Sequence, residues 1–177
     1  MTDNTLLQPG DRFPALTVAV PGGGTRRLPD DLAGHFGVVL FYRGSWCPYC
    51  NAQLRAFQRS LDRLTRIGGL VVALSADDEA TTGELIAKHG LQFPIGHSAD
   101  ARAVAAATGA FVNHDLVYLQ STGFVLDPAG QVVVSVYSSG AIGRLLPDDV
   151  IGLVRYLREH ANASQPPSAA PTPQRTG

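Results

Sequence analysis

Only two cysteines occur in the chain, and they lie three positions apart, at Cys47 and Cys50. Cysteines at i and i+3 on one helical turn have Cα atoms about 5–5.5 Å apart, which a disulfide tolerates. Pro48 suits the first position of a helix, because its missing N–H would have no intrahelical partner there. The spacing therefore predicts Cys47 at a helix N-cap and Cys50 one turn inside, as a pair that can form a disulfide.

The expected helix tip has consequences for thiol chemistry. Unpaired backbone N–H groups and the helix dipole favour the thiolate, which is the reactive form of cysteine. We expect Cys47 at the tip to be the more reachable sulfur and Cys50 to point into the protein. This redox interpretation requires sulfur atoms that solvent can reach and that can bond to each other.

The elements around the cysteines indicate an α/β fold. Residues 38–42 form an apolar run typical of a buried strand, and the helix that follows carries an apolar stripe every three or four residues, ending near residue 67. A second buried strand is expected at 70–75, then a helix that begins at residues 77–79 and ends at Gly90. A helix capped by Ser98 or Asp100 should end at Gly109, followed by a hairpin across 123–137 and a last helix from Pro147. This order predicts a mixed sheet with helices on both faces. A C-x-x-C where a strand meets a helix is typical of thioredoxin-like redox proteins.

Composition predicts one domain over residues 1–162 and a disordered tail, rich in Pro, Ser and Ala, over 163–177. The formal net charge of −1 gives no reason to expect nucleic acid as a partner. No apolar run is long enough for a membrane span, and the first residues lack a secretory signal, so we expect a cytoplasmic protein. In that compartment a close cysteine pair is more often catalytic, redox-sensing or metal-binding than structural.

A metal site is the weaker interpretation of the pair. Tetrahedral zinc needs four ligands, and the sequence has no second C-x-x-C and no histidine cluster. We therefore expect neither a metal nor another cofactor. Four arginines on the far face of the cysteine helix are interpreted as a solvated surface. They are Arg55, Arg59, Arg63 and Arg66.

Residues 41–54, Phe-Tyr-Arg-Gly-Ser-Trp-Cys-Pro-Tyr-Cys-Asn-Ala-Gln-Leu, resemble the active-site segment of the AhpC/TSA proteins, the peroxiredoxin-like branch of the thioredoxin superfamily. Residues 93–95 with Asp100, and 124–127 with Gly130, agree with the same family. The resemblance extends from about residue 10 to 160. It implies a thioredoxin-like fold, a peroxide substrate, and a thiol reductant such as thioredoxin or a low-molecular-weight thiol.

Aligned with that family, the peroxidatic cysteine falls on Cys50. Cys47 then stands where the family has threonine, Arg43 where it has proline, and Ser121 where it has an arginine that polarises the peroxide. Arg43 and Ser45 are near enough in sequence to donate hydrogen bonds to a thiolate or peroxide, and the Trp46 side chain is expected either over the sulfurs or in the core. The residues expected around the sulfurs are Arg43, Ser45, Trp46 and Ser121.

Three functions follow from this sequence. The first is a thiol-dependent peroxidase in which one thiolate becomes a sulfenic acid and a Cys47–Cys50 disulfide forms, to be recycled by an external thiol. The second is a thiol-disulfide oxidoreductase in which Cys47 forms the mixed disulfide and Cys50 resolves it. The third is a redox-sensing binding module. The alignment assigns attack on peroxide to Cys50 and the expected exposure assigns it to Cys47, and both assignments stay open, as does a homodimer.

Overall fold

A computed structural model describes residues 5–163 of the protein. The expected tail at 163–177 lies outside the described residues, except for Ala163, which ends the last helix. The elements are β1 (Leu16–Val20), β2 (Gly24–Leu28), a 3-10 turn (Asp30–Leu32), β3 (Phe36–Phe41), α1 (Pro48–Arg59), α2 (Leu61–Arg66), β4 (Gly69–Leu74), α3 (Glu79–His89), β5 (Ile95–Gly96), α4 (Ala101–Thr108), β6 (Val112–Asn113), β7 (Tyr118–Leu119), β8 (Thr122–Leu126), β9 (Val132–Tyr137) and α5 (Pro147–Ala163).

The central sheet has five strands in the order β5-β4-β3-β8-β9. β3 lies in its middle, parallel to β4 and antiparallel to β8. Strands buried on both faces are apolar along their whole length, which explains why β3 carries no charged residue. The structure confirms the predicted mixed sheet with a thioredoxin-like arrangement of helices.

Alternate side chains of β3 enter two different cores. Val38 and Leu40 pack with α1, α2 and α5 on one face of the sheet. Val39 and Phe41 pack on the other face, against the β1–β2 hairpin and α4. Because successive side chains of a strand point to opposite faces of the sheet, β3 packs against the elements on both faces. The end of β3, where the cysteine loop begins, is therefore held from both sides.

The cysteine helix is shorter than the sequence predicts. The expected single helix ending near residue 67 is interrupted at Ser60, whose backbone angles (φ −100°, ψ 2°) leave the helical range. Its N–H bonds to the carbonyls of Ala56 and Phe57, and α2 starts from there. Below the cysteines, Leu54 and Phe57 remain fully buried and anchor α1. Burial of each such side chain stabilises the fold by roughly 1.5–3 kcal/mol.

Residues 111–120 contain a small antiparallel hairpin, β6–β7. Leu119 is fully buried and fixes this hairpin to the core. Among the helices that the structure describes, none combines the length and apolar character that crossing a membrane requires.

Candidate active site

The loop between β3 and α1 is held by hydrogen bonds to its backbone. Ser45 N–H donates to Asp77 Oδ2 at 2.7 Å, and Asn51 Nδ2 donates to the Ser45 carbonyl at 2.9 Å. Cys47 N–H donates to the Gly44 carbonyl at 3.1 Å. A side chain at position 44 would clash with the Trp46 indole, which accounts for the glycine. These bonds fix where the chain enters α1.

Cys47 is the N-cap of α1 and Pro48 takes its first turn, as the sequence predicts. The Cys47 carbonyl accepts the first helical hydrogen bond, from Asn51 N–H at 3.0 Å. Cys50 lies on the buried face of the helix. Both cysteines are free thiols, and one guanidinium nitrogen of Arg144 lies within 3.8 Å of each sulfur atom. The two sulfur atoms are therefore brought together as a dithiol.

Arg144 reaches both sulfur atoms from the segment between β9 and α5. Its Nη2 lies 3.2 Å from Cys50 Sγ and 3.8 Å from Cys47 Sγ. The guanidinium is oriented by Nη1, which donates to the Ala141 carbonyl at 2.6 Å, and its carbon lies 5.8 Å from the centre of the Tyr49 ring. One cation thus bridges the pair.

Arg43 contacts the pair from the other side. Its Nη1 lies 3.8 Å from Cys47 Sγ, and its backbone N–H donates to Cys50 Sγ at 3.4 Å. Its Nη2 donates to the Tyr118 hydroxyl at 3.0 Å. The sequence-based expectation that Arg43 lies near a thiolate agrees with this geometry.

The two thiols differ in acidity. Burial raises the pKa of Cys47, but the hydrogen bond from Cys50 and the charges of Arg144 and Arg43 together outweigh it, so that its pKa lies below the ordinary thiol value. Burial and the hydrogen bond with Cys47 raise the pKa of Cys50. Cys47 is therefore the more acidic thiol of the pair.

The predicted exposure of Cys47 is wrong, because neither cysteine has accessible surface (0% for both). The reason is that Arg43 and Arg144 lie against the sulfurs, a contact that a helix-tip argument does not foresee. Both guanidinium groups are at the end of flexible side chains that are only half-buried. Access of a peroxide thus requires displacement of side chains rather than of the backbone.

Three other predicted site residues make no hydrogen bond from their side chains to either sulfur within residues 5–163. Ser45 holds the loop through its backbone. Trp46 is not packed in the core; it is 55% exposed, and its ring lies 4.9 Å from the guanidinium carbon of Arg43, which itself contacts Cys47. Ser121 is buried beside the end of β3, where its carbonyl accepts a hydrogen bond from Ser138 N–H at 3.0 Å.

Sequence reasoning missed Arg144, the residue with the shortest side-chain contact to Cys50. It follows Ile142 and Gly143 in a segment with neither strand nor helix periodicity, 94 residues from Cys50. The local sequence offers only a weak signal, a single arginine that follows Gly143 and precedes two leucines just before the N-terminus of α5. Nothing in the local sequence says that this segment folds back onto α1.

The chain is similar in sequence to known proteins. Residues 9–135 match the AhpC/TSA family. The chain belongs to that family. A Mycobacterium tuberculosis protein named "Putative peroxiredoxin Rv2521" is 32% identical over 151 residues, which covers 82% of this chain and 94% of that protein. A peroxiredoxin of Methanothermobacter thermautotrophicus is 26% identical over 155 residues, 84% of this chain and 72% of its own length.

Solved structures show the same fold at lower sequence identity. Mycobacterium tuberculosis AhpC superimposes with a TM-score of 0.74 at 24% identity, over 88% of this chain and 96% of its own. The peroxidoxin BcpB of the same organism has a TM-score of 0.75 at 20% identity, over 86% of this chain and 99% of its own. The AhpC/TSA fold therefore extends over nearly the whole described chain, including the cysteine loop.

Proposed function

We propose that the protein is a thiol-dependent peroxidase that reduces hydrogen peroxide or organic hydroperoxides through Cys47 and Cys50. Membership of the AhpC/TSA family and peroxiredoxin relatives support the reaction class. The observation that carries the proposal is the position of Arg144, within 3.8 Å of one sulfur and 3.2 Å of the other. A cation there stabilises negative charge on either thiol.

In the first step, the Cys47 thiolate attacks the terminal oxygen of the peroxide. The S–O bond forms as the O–O bond breaks, leaving Cys47 as a sulfenic acid and releasing an alkoxide, or hydroxide from hydrogen peroxide. The leaving oxygen takes the proton of the Cys50 thiol and departs as alcohol or water. Arg144 lies beside both groups between which the negative charge moves.

In the second step, the new Cys50 thiolate attacks the Cys47 sulfur. The S–S bond forms, the S–O bond breaks, and the hydroxide takes up a proton from solvent as water. The two residues are one helical turn apart and both sulfur atoms lie beside the same Arg144 nitrogen, so the disulfide needs little movement of α1. An external thiol, such as thioredoxin or a low-molecular-weight thiol, then reduces the disulfide by thiol–disulfide exchange.

Assignment of the attacking thiol is tested by stopped-flow reaction of the reduced protein with hydrogen peroxide. Trp46 is the sole tryptophan and lies beside the site, so its fluorescence reports the reaction. We expect Cys50→Ser to lose about tenfold in rate, because the hydrogen bond and the proton that Cys50 supplies are removed, and to hold a sulfenic acid that dimedone traps. We expect Cys47→Ser to lose at least about 100-fold in rate, because the remaining thiol has a raised pKa.

The variant lacking both cysteines is the control for tryptophan oxidation. A trapped sulfenic acid in Cys47→Ser, and none in Cys50→Ser, would place the attack on Cys50, as the family alignment has it. A native protein that is inert to peroxide yet reduces insulin disulfides would replace the peroxidase with the oxidoreductase. Inertness in both assays, with the disulfide forming reversibly, would leave the redox-sensing module.

The remaining roles and partners are part of the same proposal. Ser45 and Ser121 border the site and are proposed to contact bound peroxide rather than the resting thiols. A cytoplasmic location supplies the reducing thiols that the cycle needs. Size-exclusion chromatography with light scattering tests whether the working form is a homodimer.

A further inference from the structure

We infer that Tyr118 is a positioning residue that holds the Arg43 guanidinium against Cys47, which couples the β6–β7 hairpin to the reactivity of the thiol pair. The inference goes beyond the proposed peroxidase activity, because it concerns the thiolate itself and is measurable without turnover. Tyr118 lies 75 residues from Arg43 in sequence and touches neither sulfur in the described contacts.

Two aromatic rings enclose the Arg43 guanidinium. Its carbon lies 4.9 Å from the centre of the Trp46 ring and 5.3 Å from that of Tyr118. The rings pack against each other edge to face, with centroids 5.1 Å apart. Both distances to the cation are within the range of a cation–π interaction. Each ring therefore restricts the movement of the other and of the cation between them.

The Tyr118 hydroxyl gives the cation its direction. It accepts from Arg43 Nη2 at 3.0 Å, which leaves Nη1 to face Cys47 Sγ at 3.8 Å. No carboxylate forms a salt bridge with Arg43 among the described residues. A neutral acceptor fixes the guanidinium without reducing its charge, so the charge remains available to the thiolate.

The hairpin supports Tyr118 from behind. β6 and β7 pair through Val112 with Leu119 and Asn113 with Tyr118. Leu119 is fully buried, and neighbouring residues of a strand point to opposite sides, so Tyr118 faces outward over the loop that carries Arg43. The Gln120 N–H donates to the Phe111 carbonyl at 2.7 Å and closes the base of the hairpin.

The test measures the acidity of Cys47 alone, in full-length protein with Cys50→Ser. The charged and titratable groups that then face Cys47 are Arg43 from the loop and Arg144 from the segment before α5. The rate of alkylation by iodoacetamide is measured across pH. We expect Tyr118→Phe to lower the rate about twofold below the thiol pKa, and Tyr118→Leu about threefold, which does not exceed the loss on removal of Arg43 itself, with an unchanged plateau at high pH.

Action through Arg43 gives a second, sharper expectation. In an Arg43→Gln background, Tyr118→Phe should change the alkylation profile by less than about 1.5-fold, because the cation it holds is gone. The control is Tyr156→Phe, an exposed tyrosine of α5 that packs on His160. The alkylation rate of this control should equal that of its parent at every pH.

Overlapping profiles for Tyr118→Phe and its parent would overturn the inference. So would an equal loss with and without Arg43, because Tyr118 would then act on the fold or on the sulfur rather than through the cation. A drop in the high-pH plateau would likewise assign Tyr118 a structural role. Should Tyr118→Leu fail to fold, Tyr118→Phe retains the ring and still decides the question.

Discussion

The two arginines at the thiol pair come from different parts of the molecule and are held in different ways. Arg43 belongs to the cysteine loop itself and is fixed by two aromatic rings and a tyrosine hydroxyl. Arg144 comes from the segment before α5 and is fixed by a backbone carbonyl. Arg43 directs its side chain to Cys47 alone, whereas Arg144 directs its side chain to both sulfurs. One cation thus sets the acidity of a single thiol, and the other is shared by the pair.

The resemblance to the AhpC/TSA proteins predicts an arginine at the position of Ser121, just before β8. The two guanidinium groups that lie beside the sulfurs instead belong to Arg43, in the cysteine loop, and to Arg144, in the segment before α5.

Removal of both cations gives the largest expected effect. In Arg43→Gln/Arg144→Gln, burial is no longer opposed by the two guanidinium groups, so the pKa of the Cys47 thiol should rise. We expect the rate with hydrogen peroxide at pH 7 to fall on the order of a hundredfold. Stopped-flow measurement checks this, with Arg155→Gln, an exposed arginine of α5, as the matched control. A loss below threefold would contradict the role of both arginines.

Arg144→Gln alone should have the next largest effect, about tenfold. Because Arg144 contacts both sulfurs, alkylation of Cys47 in Cys50→Ser and of Cys50 in Cys47→Ser should both slow. The measurement is the pH profile of iodoacetamide reaction in each single-cysteine protein. If the alkylation rate of only one thiol falls, Arg144 does not act on both sulfurs, and the proposed difference between Arg144 and Arg43 is wrong.

Arg43→Gln should be weaker and selective, with about a threefold to fivefold loss at Cys47. Its backbone N–H still donates to Cys50, so alkylation of Cys50 in Cys47→Ser should change by less than about 1.5-fold. The two single-cysteine profiles again provide the measurement. An equal loss of alkylation rate at both thiols would show that Arg43, like Arg144, acts electrostatically on both sulfur atoms.

The smallest expected effect is on the pH dependence of stability under reducing conditions. The pKa of Cys47 is lowered in the folded state, so its contribution is fully present above the unfolded value of about 8.5 and is lost as pH falls through the folded pKa. The pKa of Cys50 is raised, so its contribution is present below about 8.5 and is lost as pH rises through the folded pKa. Urea unfolding of the native protein and Cys47→Ser, from pH 6 to 9, should therefore diverge as pH rises. Parallel curves would contradict the lowered pKa of Cys47.

Local sequence patterns were sufficient to predict the strand and the helix that flank the cysteines. The apolar run of β3, the proline after Cys47 and the stripe through Leu54 and Phe57 specify the strand, the helix start and the buried face, all from short-range physics. The break at Ser60 was missed because its neighbours continue the helical stripe and no glycine or proline marks the interruption.

Long-range contacts were not predictable in the same way. Arg144 and Tyr118 reach the site from 97 and 75 residues along the chain. Their segments have no periodicity, and their placement depends on how β9 and the β6–β7 hairpin dock on the sheet. The error about the exposure of Cys47 has this origin in part, since one of the two groups that cover it, Arg144, comes from 97 residues along the chain.

The Nε atoms of Arg43 and Arg144 are buried with no hydrogen-bond partner, and no carboxylate forms a salt bridge with either side chain in the part of the chain that the structure describes. The thiolate is therefore their nearest counter-charge. When the disulfide forms, that negative charge disappears and the same surface becomes more positive by one unit. Oxidation thus leaves two guanidinium groups without the counter-charge of the reduced site, and dissolved salt screens the resulting field.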